Sequence, residues 1–409
     1  MKKILAVFAP LALSLLVSSA AAANAALHPH LGATVEITRS HSWCWYPTIH
    51  RFRSGEILVG ITMSPDQVNA ESGFSAYCLS KDGGLTWSRR YTLGLGANQD
   101  GTWSDVPDDQ DQIWQWASYS EQVSKGDFTH FKAGMTKFSA GGRHVAIDLD
   151  VGFQTARPAG LYPTWLFAYA FDRKNPTPDT LVLENFGGRP WGNMVRDAQG
   201  NYYTACYYTD EVDARRTKAE EDSPNPRRYI HDSCLRSTDG GKSWTEVGTI
   251  AAVPPGERPA WMGAEGPNEC SLAALPDGRL YAIYRTGKGG TLGNSWSADG
   301  GKTWTAPKSM GIAGVAPRLH RLRNGMLALV TGRPGPVALY FNADGQGKNW
   351  SQPFEVFAGN TTHYCDFLEV APGRLLVVYD DLPYGWHEIP YSDRDARNIV
   401  HGTFVELGQ

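Results

Sequence analysis

Two arginines recur after equivalent strands of this chain, and a glutamate stands where one β-rich run begins. Glu269 stands where the β-rich run 270–284 begins, a position at which a channel-lining strand would aim its first side chains inward. Arg285 and Arg333 each follow the second strand of such a run, and their planar guanidinium forks can grip a carboxylate that lysine would meet only as a point charge. His50, His320 and His363 stand at the starts of units, and a neutral imidazole is a capable base near neutral pH. Beside a uronate carboxylate neutralised by arginine, such a base would support proton abstraction and elimination. Trp43, Trp45 and Tyr46 offer stacking faces for a sugar ring. The bland alternatives are ion pairs between structural units for the arginines, satisfied strand positions for the histidines and a buried hydroxyl for Tyr364. No H-E-x-x-H or paired-cysteine spacing, nucleophile-elbow serine or phosphate-cradling glycine loop occurs, so neither a metal nor another cofactor is expected.

The elements that must carry these residues announce themselves as a repeat. Ser80-Lys81-Asp82-Gly83-Gly84-Leu85-Thr86-Trp87 recurs as Ser237-Thr238-Asp239-Gly240-Gly241-Lys242-Ser243-Trp244 and as Ser297-Ala298-Asp299-Gly300-Gly301-Lys302-Thr303-Trp304. A degenerate fourth copy runs from Asn342 through Asp344 and Gly347 to Trp350. In each box the aspartate caps its own turn, the glycines take positive φ and the tryptophan packs back over the loop, so turn chemistry accounts for every fixed position. Alternating β-rich runs precede the boxes at 48–61, 270–284 and 317–331, and sheet-like segments without a good box occupy 112–185 and 360–405. Six such units predict an all-β, six-bladed β-propeller, at about 64 residues per blade. The end strand 399–407 is expected to pair with 33–38 and close the ring. The Pro- and charge-rich stretch 211–228 reads as a surface excursion, because β units resume on both sides.

Lys2 and Lys3, the apolar run 4–17 and the small-x-small Ala23-Asn24-Ala25 predict a removable signal over residues 1–25 and a single propeller domain over 26–409. The protein is therefore expected to be secreted or periplasmic, with no membrane span after signal removal, and monomeric. A hydrophobic fraction of 42% with 20% charged residues excludes a disordered chain. The formal charge of −4 gives no basic field for nucleic acid. Of the six cysteines, Cys206 and Cys234 are the expected bridge, since each lies in a β-like run and the two runs read as neighbouring strands.

The boxes resemble the Asp-box (bacterial neuraminidase) repeat of the sialidase superfamily, over nearly all of the mature chain. The segment Asn268-Glu269-Cys270-Ser271, continuing through Asp277-Gly278-Arg279-Leu280 to Arg285, is similar to the family segment that supplies a glutamate and then an arginine. Ala316-Pro317, Asn324-Gly325 and Gly332-Arg333-Pro334 follow in the order that delivers another arginine, and Tyr364 opens a strand similar to that of the nucleophilic tyrosine. The resemblance implies that Tyr364 attacks the anomeric carbon, Glu269 draws off its proton and Arg285 with Arg333 clamps the sugar carboxylate. It implies an acid/base carboxylate in a loop of the first blade, where Asp66 is the nearest candidate with Glu71 behind it. A phenol suits such a substrate, because a carboxylate nucleophile would be repelled by the sugar's own charge.

One departure stands out. Trp45 occupies the place of the first clamp arginine in an Arg-Ile-Pro type motif, and Arg51 and Arg318 are the nearby cations that could substitute. The leading expectation is an exported, exo-acting glycoside hydrolase that removes terminal acidic sugars, sialic acid or a relative, from glycans. Trp45, Tyr46, His50 and Arg318 complete its expected binding residues. A polysaccharide lyase with a His or Tyr base and a non-catalytic glycan-binding propeller are the alternatives.

Overall fold

The computed structural model describes residues 27–63, 74–95, 102–104, 111–121, 130–139, 181–183, 189–209, 230–241 and 243–408. Strand β1 (His28–Ser40) belongs with the end of the chain. Strands β2 (Trp45–Arg51), β3 (Ile57–Thr62), β4 (Phe74–Ser80) and β5 (Tyr91–Leu95) form an antiparallel sheet in sequence order. Next come β6 (Thr102–Ser104), β7 (Gln112–Glu121), β8 (His130–Ser139) and β9 (Leu181–Leu183), then β10 (Arg189–Arg196), β11 (Tyr202–Thr209), β12 (Ile230–Ser237) and β13 (Thr245–Ala252). Two further four-stranded sheets follow: β14 (Asn268–Ala274), β15 (Leu280–Arg285), β16 (Gly293–Ser297) and β17 (Lys308–Ser309); then β18 (Val315–Arg321), β19 (Leu327–Gly332), β20 (Val337–Asn342) and β21 (Phe354–Phe357). The last sheet, β1-β24-β23-β22, combines β22 (Asp366–Ala371), β23 (Arg374–Asp381) and β24 (Asn398–Gly408) with the first strand.

The all-β propeller expectation stands, but the count of six blades is corrected. The described strands form five sheets, because β6 and β10 pair in parallel, Asn193 opposite Trp103 and Met194 opposite Ser104. That pairing fuses β6–β9 with β10–β13 into one eight-stranded sheet. A parallel contact between strands far apart in sequence leaves no hairpin signal to read. Ring closure matches expectation: β1 and β24 run antiparallel from His28 opposite Gly408 to Ser40 opposite Asn398.

The Cys206–Cys234 bridge is also corrected, since all six cysteines are free and buried. Strands β11 and β12 are neighbours as expected, but Cys206 faces Ser233 while Cys234 faces Ala205. A one-residue offset sends the two thiols to opposite faces of the sheet.

The boxes join β4 to β5, β12 to β13 and β16 to β17 with repeated chemistry. Ser80, Ser237 and Ser297 hydroxyls each donate to their box aspartate at 2.8, 2.8 and 2.9 Å and accept the N–H of Gly84, Gly241 and Gly301 at 2.9 Å. Trp87, Trp244 and Trp304 Nε1 donate to the same glycines' carbonyls. In the fourth copy Asn342 Oδ1 replaces the serine hydroxyl and accepts the Gly347 N–H at 2.8 Å. Between sheets lie the hydrophobic clusters: Ile49, Val59 and Ile61 against Val378, Val400 and Phe404, and Val330 and Leu339 against Phe367 and Val377. Burial of those facing apolar sides, at roughly 25 cal/mol per Å² of area removed from water, holds one sheet to the next.

Candidate functional site

The innermost strands share a local distortion that aims the site residues. Register breaks between Trp45 and Thr48, Trp191 and Met194, Asn268 and Ser271, and Val315 and Arg318 mark the same bulge in β2, β10, β14 and β18. Within it, Tyr46, Gly192, Glu269 and Ala316 have φ of 51°, 90°, 48° and 40°. His363, before β22, has φ 65°. Such left-handed positions cost a non-glycine residue about 1–2 kcal/mol, and bulges of this kind re-aim a side chain beside functional sites. Gly192 is glycine for space as well: a Cβ there would lie 1.9 Å from the Cys270 carbonyl oxygen.

Four of the expected residues come together. The Tyr364 hydroxyl donates to Glu269 Oε1 at 2.6 Å. Arg285 Nη1 donates to the same Glu269 oxygen at 2.8 Å and to Tyr364 Oη at 3.3 Å. Glu269 Oε2 accepts the Ala316 N–H at 2.9 Å, so β18 fixes the carboxylate from the far side. The Arg333 guanidinium carbon sits 5.6 Å from the Tyr364 ring centroid and 5.0 Å from that of Trp386, while its Nη2 donates to the Thr362 carbonyl at 2.6 Å. Burial foremost, then the charge of Glu269, holds the Tyr364 hydroxyl protonated well above its ordinary range. Burial works against the charge on Arg285, but Glu269, Tyr364 and Glu265 outweigh it and keep the guanidinium charged.

Other expected residues take different places. Trp45 is 1% exposed and stacks on Tyr46 at 4.8 Å, with Trp43 at 4.3 Å and Trp386 at 5.4 Å. Tyr46 in turn lies 4.8 Å from the Tyr364 ring, and its N–H donates to Asp380 Oδ2. Arg318 is buried, donates from Nη1 to the Gly192 carbonyl and lines a small cleft with Thr48, Trp191 and Tyr364. Arg51 is tied to the carbonyls of Glu369 and Val370. The histidines do not gather at Tyr364. His320 Nε2 meets Asp366 Oδ1 at 3.0 Å, His50 is a buried residue whose charge acts on the same aspartate, and His363 lies beside Arg333. Asp66, Glu71, the excursion 211–228 and the expected signal 1–25 lie outside the described residues.

Three contributors escaped the sequence reading. Glu265 Oε1 accepts from Arg285 Nη2 at 3.0 Å, and its signal was an acidic residue one short loop before Glu269. Trp386, 40% exposed, sits in the aromatic stretch that follows β23. Asp232 on β12 is fully buried with neither oxygen hydrogen-bonded, and burial with the charge of Glu269 keeps it protonated well above the usual carboxylate range. Among the described residues no cluster of three or more His, Cys, Asp or Glu side chains could hold a metal ion.

Residues 214–379 match the family model described as a BNR repeat-like domain. Comparison with curated protein sequences found no match. Among solved structures, a protein of unknown function from Dyadobacter fermentans DSM 18053 is similar at 19% identity and a TM-score of 0.65, over 93% of this chain and 99% of that one. A Hadza microbial sialidase is similar at 13% identity and 0.59, over 89% and 66%. The Penicillium chrysogenum alpha-L-arabinanase complexed with arabinobiose is similar at 13% and 0.55, over 92% and 98%. At these identities the likeness is one of fold. Three regular Asp boxes and a BNR repeat-like match over residues 214–379 thus accompany a propeller fold similar to that of the sialidases among the structural neighbours.

Proposed function

We propose that the protein is an exported glycoside hydrolase that removes terminal sugars from glycans with retention of configuration. The observation that carries the reading is the 2.6 Å hydrogen bond from Tyr364 to Glu269, with Arg285 donating to both oxygens. A phenol this firmly protonated is a poor nucleophile until a base takes its proton, and Glu269 is already in place to accept it. In the first step Tyr364 Oη bonds to the anomeric carbon, its proton passes to Glu269 and the glycosidic carbon–oxygen bond breaks. The leaving oxygen takes a proton from the acid, the role in which Asp66 is proposed. Water then attacks the glycosyl-tyrosine, gives its proton to the same acid/base and releases Tyr364, which regains its own proton from Glu269. The glycosidases among the structural neighbours support the reaction class.

Product masses test it. Incubation with an oligosaccharide panel should yield a single sugar and a shortened glycan whose masses sum to substrate plus water; masses summing to the substrate alone would mean elimination. Tyr364→Phe and Glu269→Gln should each lower kcat by about 10²–10⁴-fold, the usual worth of a positioned nucleophile or base. Unchanged turnover in Tyr364→Phe would sink the mechanism.

A further inference from the structure

We propose that the sugar seated against Tyr364 is an uncharged one, recognised by an aromatic wall and not by a carboxylate clamp. This rests on the hydrolase reading and concerns its substrate class. Of the positions expected to grip a sugar carboxylate, the first is filled by the buried Trp45, locked in a stack with Trp43, Tyr46 and Trp386. The second, Arg285, already serves two carboxylates, Glu269 through Nη1 and Glu265 through Nη2, and its Nε is buried without a partner. A third carboxylate brought to that guanidinium would be repelled by the two glutamates that already hold it. The third position, Arg333, spends one arm on the Thr362 carbonyl and lies across the Tyr364 and Trp386 rings.

Glu265 and Glu269 offset Arg285 and Arg333, and the remaining cation of the cleft, the buried Arg318, is engaged with the Gly192 carbonyl. What the site presents instead is ring faces. Trp386 is partly exposed, 5.9 Å from Tyr46, with the Arg333 guanidinium over it, and Trp191 stands edge-on to Tyr364 at 6.0 Å. Apolar faces of this kind stack on the C–H face of a neutral sugar. A tyrosine that passes its proton to Glu269 as it attacks is equally suited to an uncharged sugar.

The test uses the full mature chain and two readouts. The first is fluorophore release from 4-methylumbelliferyl glycosides of galactose, fucose, xylose and L-arabinose beside those of N-acetylneuraminic acid and glucuronic acid. At least one neutral glycoside should exceed both acidic ones in kcat/KM by about a hundredfold, roughly what one uncompensated buried charge costs; a faster acidic glycoside overturns the proposal. The second is quenching of tryptophan fluorescence in Tyr364→Phe on titration with the six corresponding methyl glycosides, which reads binding without turnover. Quenching by a neutral glycoside at lower concentration than by either acidic one, weakened about five- to tenfold in Tyr364→Phe/Trp386→Ala, is expected. Tighter binding of an acidic glycoside, or no binding of any neutral one, overturns the proposal. Binding of a neutral glycoside with no release from any substrate would leave the specificity standing and remove the hydrolase reading instead.

Discussion

At the scale of single residues the site is a relay of donors around one glutamate oxygen. Glu269 Oε1 accepts from both Tyr364 and Arg285, so removing either donor changes the charge felt by the other. Because burial and Glu269 keep Tyr364 protonated far beyond its ordinary value, its ionisation contributes no limb to a pH–rate profile below pH 10. The tyrosinate absorbance recorded for Tyr364→Phe between pH 8 and 10 should overlay that of the wild type. A difference of one titrating tyrosine would show that the hydroxyl is not held as described. Glu265 holds Arg285 from the outside and is itself partly exposed. Glu265→Gln should lower kcat/KM for the best neutral substrate about tenfold, by loosening that positioning, and should narrow the preference over acidic glycosides. An unchanged ratio between neutral and acidic substrates would mean that Glu265 does not set the charge balance.

At the scale of elements, the Asp-box hairpins are anchors remote from the site and carry their own pH dependence. The Thr86 hydroxyl foremost, with its N–H and Ser80, holds Asp82 down at about 2, and Thr303 with Ser297 does the same for Asp299. A carboxyl whose folded value lies below its unfolded one stabilises the fold fully above the unfolded value and loses that contribution as pH falls through the folded value. The boxes should therefore weaken between about pH 4 and pH 2. Asp299→Asn should lower the urea midpoint at neutral pH by roughly a few tenths molar and flatten its fall over that acid window, while kcat stays unchanged. A parallel fall in both proteins would remove the boxes from the acid response.

At the scale of the whole molecule, stability depends on a ring closed by chain ends that meet. Thr34 and Thr403 face each other across β1 and β24, their hydroxyls 2.8 Å apart. The paired variant Thr34→Cys/Thr403→Cys should form a disulfide that shuts nearly the entire chain into one loop and raises Tm by about 3–8 °C, reversed by reductant. No rise in the oxidised form would mean that unfolding begins elsewhere, with the ends still paired. Sheets packed face against face leave a shared channel side, which is how Glu269 from β14, the Ala316 N–H from β18 and Tyr364 from the approach to β22 reach one point.

What the sequence determined by itself was whatever is local or periodic. Asp-Gly-Gly turns with a tryptophan three residues on specify hairpins wherever they stand, and alternating runs between them specify antiparallel sheets, so the propeller class and its end-to-end closure were legible. That Glu269, Arg285, Arg333 and Tyr364 stand near the ends of strands was legible as well, from the family resemblance read onto the repeat. The tertiary structure alone decided what depends on register and long-range approach. The parallel pairing of β6 with β10 set the number of sheets, and a one-residue offset kept Cys206 from Cys234. Glu265 and Trp386 lie outside regular strands, in segments with no period to betray which way a side chain turns. Only folding brought one to Arg285 and the other to Tyr46 and Arg333, and with them came the balance of charge and aromatic surface at the site.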